Sequence, residues 1–296
     1  MKWGNIKNSG TVDYTLPDDP IDNKEILGGI PATDFKFYLG YANLSKVKLK
    51  GFYPGTVKDE LVYYSKHFNA IEFNATFYKE FLKNQYAIWK DKTPSHFKFF
   101  PKVLRIISHQ HKLHPCTQNL VTSYLEGVQE FKENLGIPFL QLPSSFRPSN
   151  GFYLNQFLKN WPDTTGLAIE FRHLDWYSKA IKPRLFHLLQ VNNISHIITD
   201  TPGRRDLLHV RLTNKVAFIR FLAADLPLDE QRLDNWLDRL AIWKSYGLEK
   251  VCFFIHQDVQ KHKPFLATTL VPKINEKFNL RLPIPQHTYH SSNLFS

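Results

Sequence analysis

The chain has 296 residues, 43% hydrophobic and 15% aromatic, with 38 lysines and arginines against 27 aspartates and glutamates for a formal charge of +11. This apolar content supports a sizeable core and excludes a disordered chain, and no apolar run approaches the roughly 20 residues of a bilayer-spanning helix. Cys116 and Cys252 have no C-x-x-C partners, which argues against a disulfide framework and against a cysteine-based zinc site.

Residues 1–34 are rich in Gly, Asn, Asp and Pro and lack a sustained period, so they read as an N-terminal extension lying on or off the domain. They contain no apolar core of a signal peptide, and the expected compartment is the reducing cytoplasm, without membrane association. From Phe35 onward, short runs rich in Phe, Ile and Val alternate with amphipathic stretches. FKFYLGY (35–41) is the first expected strand and VKDELVYYSKHF (57–68) its helix. AIEFNATFY (70–78) is followed by the helical FLKNQYAIWKD (81–91), and FKFFPKV (97–103) by a long loop and QNLVTSYLEGVQEFKENL (118–135). The fourth and fifth strands are PFLQLPSSF (138–146) and GLAIEFRH (166–173), with helices LNQFLKNW (154–161) and IKPRLFHLLQVNN (181–193) after them. SHIITDT (195–201), VAFIRFL (216–222) and KVCFFIHQ (250–257) complete the strands, with LDEQRLDNWLDRLAIWKSYG (228–247) before the last and KPFLATTLVPKINEKF (263–278) after it.

Eight strands separated by helices over roughly 250 residues match a single α/β domain, a (β/α)8 TIM-type barrel spanning residues 35–285, with 286–296 as a C-terminal tail. An open doubly wound sheet ranks second, since no G-x-G-x-x-G or G-x-x-x-x-G-K-[ST] occurs. No internal repeat is present.

Side chains alternate along a strand, so in a barrel one parity faces inward and the other faces the helices. If Ile71, Phe73, Leu167, Ile169 and Phe171 face the helices, then Glu72, Asn74, Glu170 and Arg172 point inward. The same rule sends Lys102, Gln141, Asp200, Arg220 and His256 inward, all late in their strands, at the mouth where barrel enzymes keep their sites. The charges nearly balance, and an internal ion-pair network that merely fills the barrel is the competing reading. Burying charges without a purpose costs several kcal/mol per ion, which favours a functional ring.

FYPG (52–55), FNAIEFNATFY (68–78), QLPSSF (141–146), AIEFRHLDWY (168–177) and TDTPG (199–203) follow one another in an order that resembles the YecE-like family, known as domain of unknown function 72. The likeness runs from about Tyr38 to about Asp258. It implies a TIM-type barrel with no established reaction, and the residues matching its characteristic positions are Glu72, Asn74, Tyr78, Lys102, His109, Gln141, Glu170, Arg172, Trp176, Asp200 and Arg220. Three segments depart from the family pattern: Leu39 to Asn43, Leu222 with Ala223, and Phe254 to Asp258.

The ring suits two classes of function. In the first, an enzyme works by acid/base or hydrolytic chemistry on a phosphate-bearing or nucleic-acid-like substrate, with Glu72, Glu170, His109 and Asp200 as the catalytic set. Asn74, Tyr78, Lys102, Gln141, Arg172, Trp176, Arg220 and His256 would then bind the substrate, with the arginines as planar forks for phosphate or carboxylate. In the second, a non-catalytic barrel binds an anionic ligand or nucleic acid through the same face. Glu72, Glu170, Asp200, His109 and His256 could ligate a metal. Without H-E-x-x-H or H-x-H at a strand end, and with three cations in the ring, neither metal nor cofactor is expected. No G-x-S-x-G occurs, and Ser144 and Ser145 follow a proline, which disfavours serine chemistry. The loop KVLRIISHQHKLHPC (102–116) brings Arg105, His109, His111, Lys112 and His114 close in sequence and reads as a lid or phosphate grip. The expected partner is a small anionic or phosphate-bearing ligand, with nucleic acid as the alternative.

Overall fold

The structure is a computed structural model that describes residues 12–224, 227–257 and 265–286. Eight parallel strands alternate with helices. In chain order they are β1 (Lys36–Tyr41), β2 (Ala70–Phe73), β3 (Lys98–Pro101), β4 (Phe139–Gln141), β5 (Ala168–Glu170), β6 (Ser195–Asp200), β7 (Val216–Leu222) and β8 (Lys250–His256). The helices are α1 (Asp22–Leu27), α2 (Glu60–Tyr64), α3 (Ala75–Tyr78), α4 (Lys83–Asp91), α5 (Gln118–Gln129), α6 (Gly151–Asn160), α7 (Lys182–Val191), α8 (Leu228–Tyr246) and α9 (Leu266–Phe278).

The strands form two hydrogen-bonded ladders: six in the order β1-β8-β7-β6-β5-β4, and the pair β2-β3. The sheet is therefore not a closed ladder: it breaks between β1 and β2 and between β3 and β4. Between β1 and β2, side chains replace backbone bonds. Asn69 donates to the Phe37 carbonyl at 2.7 Å and accepts from the Leu39 amide at 2.8 Å, and the Tyr64 hydroxyl joins the Tyr41 amide to the Ala70 carbonyl. Gly40 permits this approach, because a Cβ there would stand 2.0 Å from the Ala70 carbonyl oxygen. Between β3 and β4 only the isolated bridges Phe99–Leu135 and Lys102–Phe139 form.

Parallel strands covered on both faces carry continuous apolar runs. Here one face of the strands, termed inner, packs Ala70, Phe100, Phe139, Ala168, Ile197, Phe218, Cys252 and Phe254 into a cluster shared by both ladders. The other face joins the helices in the larger core, which includes Ile71, Phe73, Ile169, Ile198, Ile219 and Trp236. The second strand is shorter than expected: it ends at Phe73, and residues 75–78 coil into α3.

Of the expected N-terminal extension, residues 12–34 are described and lie against α8 and the segment before β7. Arg205 donates to the carbonyls of Asp13 and Thr15, Arg239 to that of Pro17, and the Trp243 indole to Asp19 at 2.9 Å. Buried Asn23 donates to the Val210 carbonyl and accepts from the Leu212 amide. The expected C-terminal tail, 286–296, lies outside the described residues apart from Gln286. Among the described residues no helix is long and apolar enough to cross a membrane.

Candidate functional site

Two residues beyond the last inner apolar residue of seven of the strands, at the C-terminal end, stands a polar one. The pairs are Ala70 with Glu72, Phe100 with Lys102, Phe139 with Gln141, Ala168 with Glu170, Ile197 with Thr199, Phe218 with Arg220 and Phe254 with His256. Alternation thus converts a buried apolar layer into a polar layer above it.

Arg220 organises that layer. Its Nε and Nη2 each donate to Glu72 at 2.9 Å, and its Nη1 donates to Glu170 and, at 3.3 Å, to Gln141 Oε1. Glu72 also accepts from His256 Nε2 at 2.8 Å and from the Asn74 amide at 2.9 Å, and that amide reaches the Ala42 carbonyl at the end of β1. Arg172 Nε donates to the other oxygen of Glu170. Burial alone would raise both carboxyls, but the cations prevail. Arg220, with the hydrogen bond from His256, holds Glu72 well below the carboxylate range, and Arg172 with Arg220 holds Glu170 at about 2. The arrangement favours the ionised form of both carboxyls, which makes each a poor proton donor in this state.

Lys102 is placed differently. Only 6% exposed, its Nζ lies 4.1 Å from the centre of the Phe77 ring and donates to Gln141 Oε1 at 3.0 Å. The ion pairs among the described residues include none for Lys102. Burial, reinforced by Arg220, brings its ammonium down to about 7 against the opposing pull of Glu72 and Glu170. His109, in a π-turn (Ile106–Gln110), packs edge-on against Phe77 and exchanges a 2.9 Å hydrogen bond with the Ser108 hydroxyl. Burial first, then repulsion from Lys102 and Arg172, lowers its imidazole to about 4. Burial likewise lowers His256, opposed by Glu72, so its ring is neutral and donates to the carboxylate.

The structure therefore brings together Glu72, Asn74, Lys102, His109, Gln141, Glu170, Arg172, Arg220 and His256. Three expected residues stand elsewhere. Asp200 faces the helices: its carboxylate accepts from Arg232 and the Trp236 indole, each at 2.8 Å, and from Arg205. All of β6 is buried and Ile197 and Ile198 are both apolar, so alternation does not reveal its parity, and Thr199 takes the inner position. Trp176 is 4% exposed, stacks on Phe146 and donates its indole N–H to the Phe146 carbonyl at 2.8 Å, leaving no face for a ligand. Tyr78 is 76% exposed, on the rim of an adjoining cavity of about 440 Å3 whose walls include Glu72 and Asn74. Sequence reasoning missed Thr199 and Phe139.

Comparison with known proteins gives a consistent picture. The family model described as protein of unknown function DUF72 matches residues 38–288. The UPF0759 protein YecE of Escherichia coli is 28% identical over 227 residues, 70% of this chain and 82% of that protein. A DUF72 family protein of Enterococcus faecalis superposes with a TM-score of 0.65 at 18% identity, covering 83% of this chain and 99% of the other. One from Thermotoga maritima gives 0.60 at 22% identity, with 82% and 99% covered. These likenesses in structure establish a shared fold, and the family model spans nearly all of the strands and helices that carry the polar layer. The chain belongs to the DUF72 family.

Proposed function

We propose that the eight strands enclose a (β/α)8-type barrel and that the polar layer at its C-terminal mouth binds a small anion, phosphate or carboxylate, on which Lys102 performs proton transfer. Supporting closure, both breaks in the ladder are spanned by side-chain bonds or isolated bridges, and the inner cluster draws on both ladders. The observation that carries the functional reading is the environment of Lys102: an amine without a carboxylate partner among the described residues, between aromatic rings and beside Arg172 and Arg220. A proton donor is most effective when its pKa lies near the working pH, which Lys102 satisfies and the two carboxylates do not. Arg172 and Arg220 supply the positive field for an anion, and the buried Thr199 hydroxyl, without a hydrogen-bond partner among the described residues, offers a further polar contact. Glu72 and Glu170 act as positioning residues that fix the arginines.

The test is a thermal-shift panel of phosphate- and carboxylate-bearing compounds on the wild type, Lys102→Met and Lys102→Arg. A ligand at 100 times its dissociation constant should stabilise the wild type by about 2.7 kcal/mol. Lys102→Met should lose that gain. Lys102→Arg should keep much of the binding and lose any turnover of the compound that binds. Equal shifts in wild type and Lys102→Met would refute the reading, and binding without turnover in the wild type would leave a binding protein in place of an enzyme.

A further inference from the structure

The inner parity that ends in the polar layer begins, at the opposite ends of the strands, with lysines. Tyr38, Phe100 and Cys252 face inward, so Lys36, Lys98 and Lys250, each two residues earlier, occupy inward-facing positions of β1, β3 and β8. Lys36 and Lys250 are direct register partners. With Ser195 and Lys215 they line a cavity of about 770 Å3 whose inner wall includes Phe100 and Ile137. Its size falls within the range of small-molecule sites. Gly136 and Gly166 also stand on its wall, and Gly136 lies so close to β3 that a Cβ there would come within 2.7 Å of the Phe99 carbonyl oxygen.

Like charges at directly paired positions repel. Lys98 registers this: burial lowers its ammonium, and Lys250, with Lys36, lowers it further against Glu133. Acidic neighbours offset part of the charge, since Lys36 pairs with Asp34 and Lys215 with Glu249, each at 2.9 Å, and Lys98 donates to the Glu133 carbonyl. Among the described residues Lys250 has no ion-pair partner. Ammonium groups are point charges that suit phosphate oxygens without demanding planar geometry.

We propose that this N-terminal opening is a second anion site, taking a small polyanion with two or more phosphate groups through Lys98, Lys250 and Lys36. It is separate from the C-terminal layer, because Phe100, Phe139, Phe218 and Phe254 fill the space between them.

Isothermal titration calorimetry of the full chain with inorganic tripolyphosphate tests the site, using wild type, the double variant Lys98→Met with Lys250→Met, Lys250→Gln alone, and Lys102→Met as the control at the other end. Saturable binding is expected in the wild type, and Lys102→Met, which removes anion binding at the C-terminal layer, isolates the N-terminal site and should keep its affinity. That affinity should weaken by about tenfold for each lysine removed, the factor equivalent to about 1.4 kcal/mol. Without polyphosphate, the double variant should melt at or above the wild-type temperature, because repulsion has been relieved. Were the double variant not to fold, Lys250→Gln, altering one half-buried side chain, gives the same reading. Absence of saturable heat, unchanged affinity in the lysine variants, or an equal loss in Lys102→Met would overturn the proposal.

Discussion

Lys102 sets stability against function within one side chain. Burial, and then Arg220, brings its ammonium to about 7, whereas in the unfolded chain a lysine titrates near about 10.4. Between those values the unfolded chain binds more protons than the folded one, so stability climbs as the pH rises from about 7 towards about 10. Below about 7 both states are protonated and the penalty is constant at its maximum. Lys102→Met removes the penalty while filling the same space between Phe77 and Phe139. In urea unfolding the variant should therefore exceed the wild type by at least about 1 kcal/mol at pH 7, given about 1.4 kcal/mol per unit of depression. The gap should narrow steadily by pH 10. A variant less stable than the wild type at pH 7 would mean that attraction to Glu72 and Glu170 outweighs desolvation, and Lys102 would then be a fully charged structural cation.

At the scale of elements, β6 and α8 separate what alternation can reveal from what it cannot. In β2, Glu72 stands between Ile71 and Phe73, and in β5 Glu170 stands between Ile169 and Phe171, so each polar residue has apolar flanks that fix its side. In β6 both parities carry an isoleucine followed by a polar residue, Ile197 then Thr199 and Ile198 then Asp200. The carboxylate looks like the site residue and the hydroxyl does not, although the hydroxyl is the one that faces inward. Nor does sequence spacing disclose that Asn69 and Tyr64 stand in for backbone bonds between β1 and β2, since those partners are 30 and 23 residues apart in the chain from Leu39 and Tyr41. The eight apolar runs themselves were legible because strands buried on both faces need continuous hydrophobicity. Asp200 ties the end of β6 to α8 through Arg232, which also pairs with Asp229 and is 2% exposed in its side chain. Asp200→Ala leaves that guanidinium short of a partner in a buried setting, at an expected cost of about 3–5 kcal/mol. Guanidinium unfolding should show the loss, while affinity for the anion at Lys102 stays at the wild-type value. An Asp200 that took part in the chemistry would give the reverse pattern, stability kept and turnover lost.

For the whole molecule, the formal charge of +11 invites a nucleic-acid reading, and the distribution of that charge argues against it. Many surface lysines stand beside acids: Lys83 pairs with Glu126, Lys90 with Glu133, Lys92 with Asp59, Lys273 with Asp234 and Lys277 with Asp238. Interspersed pairs of this kind cancel at distances beyond about 10 Å at 0.1 M salt, so they offer no continuous track for a phosphate backbone. Among the described residues, one group of cations, Lys102, Arg172 and Arg220, stands at the C-terminal ends of the strands and another, Lys36, Lys98, Lys215 and Lys250, at the N-terminal ends, each small enough for a compact anion. Salt dependence separates these possibilities. A protein neutralising 6–10 phosphates of duplex DNA loses roughly 10³–10⁵ in affinity between 50 and 200 mM salt, with a log-log slope close to −0.9 per phosphate. Binding of a small phosphate ligand at either end should instead show a slope of about −1 to −3, and a duplex oligonucleotide should show no saturable binding at physiological salt. A steep slope with a duplex, persisting in Lys102→Met and in the Lys98, Lys250 double variant, would locate a nucleic-acid surface outside both ends and displace the small anion as the principal partner.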